Sequence, residues 1–165
     1  MTRERGRGAG PDAARRDGGT RPVEGGELHP SGLPPGRAAQ IRFEERGDYL
    51  HASVWGEKDT LEVSLDYWTR VIEECERVGQ GRVLVEESFD NQLPTVDMFE
   101  LCARVAELAA ARALKIAFVD REISHQQLNE FGGTVAANRG VSVRVFASVA
   151  EAEPWISGST TSARV

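Results

Sequence analysis

The stretch from Arg82 to Leu108 constrains the fold more than any other part of the chain. It opens with Val83-Leu84-Val85, an apolar run too short for a helix and rich in β-branched residues, which predicts a buried strand. It turns polar over Glu86-Glu87-Ser88-Phe89-Asp90-Asn91, passes Leu93-Pro94-Thr95, and then takes up helical spacing. A strand that feeds a helix through a polar loop is the building unit of a parallel sheet. Such sheets place their binding residues beyond the carboxyl ends of the strands.

The flanking segments extend the pattern. Residues 41–45 and 48–55 alternate apolar and polar around Arg46-Gly47-Asp48, which predicts a β-hairpin. Leu61, Leu65, Trp68, Ile72 and Cys75 line one face of a helix over 61–78 that Gly79 stops. Thr95 is placed to cap the second helix, with Asp97 in its positive first turn. The buried stripe of that helix is Met98, Leu101, Cys102, Val105, Leu108 and Ala109. Leu114 to Val119 predicts another strand. Ser124 with Gln127 predicts a capping box for a third helix starting at His125, its apolar face formed by Leu128, Phe131 and Val135. Gly132-Gly133 within it implies close packing or a weak helix. Residues 141–145 alternate as an edge strand, and Ser148 with Glu151 caps a short last helix bent by Pro154. The resulting order, ββαβαβαβα, predicts an α/β domain with a mixed, mostly parallel sheet of about five strands.

Composition divides the chain. Residues 1–40 hold 9 of the 17 glycines and 5 of the 7 prolines, with almost no large apolar side chains. They cannot bury enough surface to offset conformational entropy, so a disordered Gly/Pro/Arg-rich head is expected over 1–40 and a polar tail over 157–165. The domain between them, 41–156, has 12 Lys and Arg against 21 Asp and Glu, a net charge of −9. That acidity opposes nucleic-acid binding, which needs basic clusters. No apolar run is long enough for a membrane span, and the N-terminus has no apolar signal core, so a cytoplasmic protein is expected. Cys75 and Cys102 fall on apolar helix faces and are expected to be buried free thiols.

Little in the sequence points to catalysis. Gly79-Gln80-Gly81 precedes a strand rather than a helix, the wrong context for a nucleotide loop. No nucleophile elbow or zinc-spaced Cys/His set occurs, and His51 and His125 read as surface or edge residues. Glu86, Glu87, Asp90, Asp120 and Glu122 fall near strand ends and could in principle hold a hard cation. Without calcium-loop spacing they read as a solvated acidic rim, and neither metal nor cofactor is expected. Ser88 and Thr95 flank the loop and are the candidate phosphoacceptors, since a helix N-terminus favours an added anion. Phe89 and Phe99 either edge the core or form a contact patch. The candidate partner-binding set is Ser88, Phe89, Asp90, Asn91, Thr95, Asp97 and Phe99.

Several phrases resemble the STAS-like proteins, relatives of the bacterial anti-sigma-factor antagonists. They are Gly47-Asp48-Tyr49-Leu50, Arg82-Val83-Leu84-Val85, Asp97-Met98-Phe99-Glu100-Leu101 and Lys115-Ile116-Ala117-Phe118-Val119. Asn138-Arg139-Gly140 running into Val143-Arg144-Val145-Phe146, then Ala152 and Trp155, completes the set. The resemblance spans residues 41–156. It implies a single STAS-like domain with helices mainly on one face of the sheet, used for regulatory protein contact rather than catalysis. Regulatory antagonists carry an aspartate-serine-serine-glycine stretch at the start of the second helix, where a partner kinase phosphorylates serine. Here Pro94-Thr95-Val96-Asp97 stands in its place, so the usual phosphoserine motif is missing. The first expectation is a non-enzymatic interaction module with a protein partner. A related, Sec14-type branch suggests the alternative, a carrier or sensor of a lipid or other apolar small molecule.

Overall fold

A computed structural model describes residues 38–158. The head expected over residues 1–40 therefore lies outside the described residues up to residue 37. At its end it belongs to the domain, because Ala39 is buried in the core and Gln40 opens the first strand. Of the expected tail, residues 159–165 also lie outside.

Strands β1 (Gln40–Arg46) and β2 (Tyr49–Trp55) pair antiparallel, with Arg46 opposite Tyr49. Gly47 turns the chain at φ +61°, a left-handed conformation that favours glycine. Every later neighbour is parallel: β3 (Arg82–Ser88) on β2, β4 (Lys115–Asp120) on β3, and β5 (Ser142–Phe146) on β4. The spatial order is thus the chain order, β1-β2-β3-β4-β5. Three successive crossovers step the same way along the sheet, so a common hand puts their helices on one face. These are α1 (Leu61–Val78), α2 (Thr95–Ala110) and α3 (Gln126–Ala137). After the edge strand β5, α4 (Val149–Ile156) returns across the other face.

Alternation along the strands separates two cores. Leu50, Ala52, Val54, Val83, Val85 and Ile116 meet the three-helix layer, while Tyr49, Leu84, Ala117 and Val119 meet Ala152 and Ile156 of α4. Polar anchors fix α4: Tyr49 Oη donates to Glu153 at 2.9 Å, and Lys115 Nζ donates to the Trp155 carbonyl at 2.5 Å. No helix of the described residues is long and apolar enough to cross a membrane.

The helices differ from their sequence reading in phase and in caps. In α1, Trp68, Ile72 and Cys75 are buried as the spacing predicts, but Leu61 and Leu65 lie at the border. Val63, Ser64, Asp66, Tyr67 and Val71 complete the buried face, because α1 packs on both the sheet and α2. Thr95 is not the cap of α2. Leu93 is buried and anchors the loop, so the first helical bond runs from Met98 N to the Pro94 carbonyl at 2.9 Å. Pro94 is the cap residue, and Thr95 already sits inside the first turn with no side-chain capping bond. In α1, by contrast, Thr60 Oγ1 accepts from Val63 N at 3.2 Å. Thr60→Ala should therefore cost about 1 kcal/mol and Thr95→Ala less than about 0.5 kcal/mol, read by urea denaturation. Equal losses would mean that Thr95 caps in solution.

The third helix starts later than its capping-box pattern suggests. Glu122, not Ser124, accepts from the first free N–H, and a 3-10 turn, Ile123–His125, precedes α3. Its buried face is Asn129, Gly132, Val135 and Ala136, leaving Phe131 exposed. Gly132 sits tight against α2: a Cβ there would lie 2.8 Å from Cys102 Sγ and 2.9 Å from Met98 Sδ. Gly132→Val should destabilise the fold by about 1–3 kcal/mol through overpacking, despite the gain in helix propensity. A variant as stable as wild type would show that the Met98 side chain swings aside.

Candidate functional site

The polar loop expected after Val85 begins later, because β3 continues through Glu86 and Glu87 to Ser88. Strand alternation then sends the two glutamates to opposite faces. Glu87 points under the helix layer, into a set of polar side chains buried at the carboxyl ends of β3 and β4. Tyr67 Oη of α1 donates to Glu87 Oε2. Ser64 Oγ donates to Asp59 Oδ1 at 2.6 Å. Asn91 clamps the Asp59 backbone, accepting from its N–H and donating to its carbonyl, each at 2.8 Å. On β4, Asp120 Oδ2 lies 2.9 Å from His125 Nδ1 and accepts from Asn129 Nδ2 at 2.9 Å.

Three carboxyl groups thus share a buried region with few compensating charges. Burial, with the nearby Asp59 and Asp120 charges, raises Glu87 to about 8, against a hydrogen bond from Tyr67 that lowers it. Burial likewise raises Asp59 to about 6, partly offset by the Ser64 hydrogen bond. Tyr67 is held well above its ordinary range, by burial first and then by Glu87 and Asp59. Glu87 is therefore largely a neutral acid at pH 7, able to exchange a proton with anything that binds beside it.

Something can bind beside it. A cavity of about 70 Å³ lies between the sheet and α1, α2 and α3. Glu87, Asp59, Tyr67 and Asn129 form its polar end, and side chains such as Trp68, Leu101, Val105 and Phe118 form the rest. Cys102 also lines it, its thiol pushed up to about 11 by burial; Cys75 is raised to about 11 in the same way. Both cysteines are free, Cys75 buried and Cys102 half-buried.

On the α4 face, His51 Nε2 lies 3.2 Å from Glu86 Oε2, and Arg121 Nε donates to Glu86 Oε1 at 2.8 Å. Both histidines read as surface residues in the sequence are buried instead, each beside a carboxylate. Burial holds His51 below its ordinary value, and its Nδ1 has no hydrogen-bond partner. Of the acids of the expected rim, Glu87 and Asp120 meet under the helix layer, while Glu86 lies on the opposite face. Among the described residues no three His, Cys, Asp or Glu side chains are placed to share a metal ion.

The sequence-predicted contact residues separate into two groups. Ser88, Asp90, Thr95 and Phe99 are exposed, and Asp97 is half-buried. Phe89 is no contact residue: it is 3% exposed, its ring 6.3 Å from that of Tyr67 and against Gly56. Asn91 is occupied in holding Asp59. The buried polar set was not legible as such, although Ser64 and Asn129 each stand at helical spacing within an apolar stripe, which is its signal. No protein-family model matches the chain, and no curated protein matches it.

Proposed function

We propose that the domain is a non-enzymatic, STAS-like interaction module whose contact surface lies at the carboxyl end of the sheet. The observation behind this reading is the placement of exposed apolar side chains. Val96 and Phe99 stand on the first two turns of α2, Ile123 on the turn into α3, and Phe131 on α3, which packs beside α2. Trp55, also exposed, ends β2. Leu108 is exposed apart from these, toward the other end of α2; single exposed apolar residues like it are ordinary, whereas a group near one end of a fold marks a contact surface. Ser88, Asp90, Thr95 and Asp97 supply its polar rim, and the Arg139 guanidinium sits 5.1 Å above the Phe99 ring. An acidic domain favours a partner with a basic rim.

Thr95 has no capping task and is exposed at the first turn of α2, so a phosphate there would meet the positive helix end; Ser88 is the second candidate. A small-molecule role is favoured only for something compact, since the cavity of about 70 Å³ is far below the volume of a lipid chain.

A photo-crosslinking side chain at position 99, in protein made in its own host, tests the surface. A discrete adduct is expected, lost on Val96→Glu and not formed from a crosslinker at the exposed Glu107 near the other end of α2. Equal adducts from both positions, or none from position 99, would count against the proposal.

A further inference from the structure

We propose that the cavity under the helix layer is a binding site for a small organic ammonium ion, with its N–H groups on Glu87 and Asn129 and its apolar tail among Trp68, Leu101, Val105 and Phe118. The site is independent of the contact surface above.

The polar end of the cavity leaves some hydrogen-bonding groups free. Tyr67 Oη is given to Glu87, Ser64 Oγ to Asp59, and Asn129 Nδ2 to Asp120. Asn129 Nδ2 keeps a second N–H, and Glu87 carries a carboxyl proton while it is neutral. Glu87 and Asn129 are each more than nine-tenths buried, line the cavity, and keep one side-chain oxygen without a protein hydrogen bond. Asn129 Oδ1 accepts as it stands, and the second Glu87 oxygen accepts once that carboxyl ionises, so a cationic N–H donor can satisfy both. No lysine or arginine among the described residues lines the cavity, so a positive ligand meets the Glu87 and Asp59 carboxyl groups with no fixed cation competing. At about 10–15 Å³ per water-sized group, the space holds roughly five such groups, the size of a short alkylamine.

Protonation follows from the same geometry. The titratable groups facing Glu87 are Tyr67 from α1, Asp59 from the loop before α1 and Asp120 from β4. Cys102 of α2 lines the cavity as a neutral thiol, and α3 presents the uncharged Asn129. When an ammonium ion enters, the neutral Glu87 carboxyl loses its proton to solvent and the carboxylate pairs with the ligand. No covalent bond changes otherwise.

Calorimetric titration with n-butylammonium, 1-butanol and tetramethylammonium decides the matter, run in two buffers of different ionisation enthalpy. Butylammonium should bind saturably at one site, release up to one proton near pH 7, and tighten by up to about tenfold per pH unit until pH 8. Butanol lacks the charge and tetramethylammonium lacks the N–H, so both should bind at least tenfold more weakly. Glu87→Gln should weaken butylammonium at least tenfold and abolish the proton release. Should that variant not fold, the proton count and the three-probe comparison on wild type still decide. Absence of saturable binding, butanol or tetramethylammonium matching butylammonium, or binding without proton release would each overturn the proposal.

Discussion

Trp68→Ala should destabilise the domain by about 3–5 kcal/mol, in the range for removing a buried tryptophan. Trp68 is 7% exposed and joins α1 to the sheet, with its ring 6.1 Å from that of Phe118 on β4 and 5.6 Å from that of Tyr67. Its side chain also lines the cavity, so its removal would enlarge a void already present rather than open an isolated one. Voids cost more where the surroundings cannot collapse into them, and the rigid sheet forms one wall here. The upper half of the range is therefore expected. Urea denaturation of both proteins checks it. A loss below about 1.5 kcal/mol would show that Met98 and Leu101, which share the cavity wall, move in to fill the space.

Trp68 was legible from the sequence because it recurs with Ile72 and Cys75 at helical spacing. The phase of that helix was less so: Leu61 and Leu65 are stronger apolar signals than Ser64 and Tyr67, yet the latter pair is buried. Periodicity reports where a helix is greasy, not where a second helix will cover it. Element order, the hairpin, the edge position of β5 and the Ser148 cap all follow from local chemistry and appear in the structure. The Thr95 cap failed because Leu93 is drawn into the core, and a tertiary contact shifted the helix start by one residue. Glu86-Glu87 looked like the start of a loop because charge argues against a strand interior. Only the ladder to β2 and β4, with Glu87 opposite Val54 and Asp120, shows that it continues. The site is assembled from residues 59 to 129, and only that pairing brings them together.

Stability should fall as pH rises from about 4.5 to about 8, and Glu87 should be the main cause. Its folded-state value is about 8 against an ordinary 4.5. Between those values the folded protein holds a proton that the unfolded chain has released, so raising the pH favours unfolding. Below 4.5 both states are protonated and the penalty vanishes; above 8 both are ionised and it is complete. The full difference is on the order of 5 kcal/mol. Asp59, raised from 3.8 to about 6, adds a slope of the same sign at the acid end of the window. His51 works the other way, because its lowered value contributes stability above its ordinary 6.5 that is lost on acidification. Comparison with Glu87→Gln separates these groups. At pH 8.5 the glutamine variant should be more stable than wild type by on the order of 2–4 kcal/mol, since an ionised carboxyl no longer has to be buried. At pH 5, where wild-type Glu87 is already mostly neutral, the two should nearly coincide. Urea denaturation at pH 5, 7 and 8.5 gives both curves. Parallel pH profiles for the two proteins would mean that Glu87 ionises readily in the fold and that water reaches it.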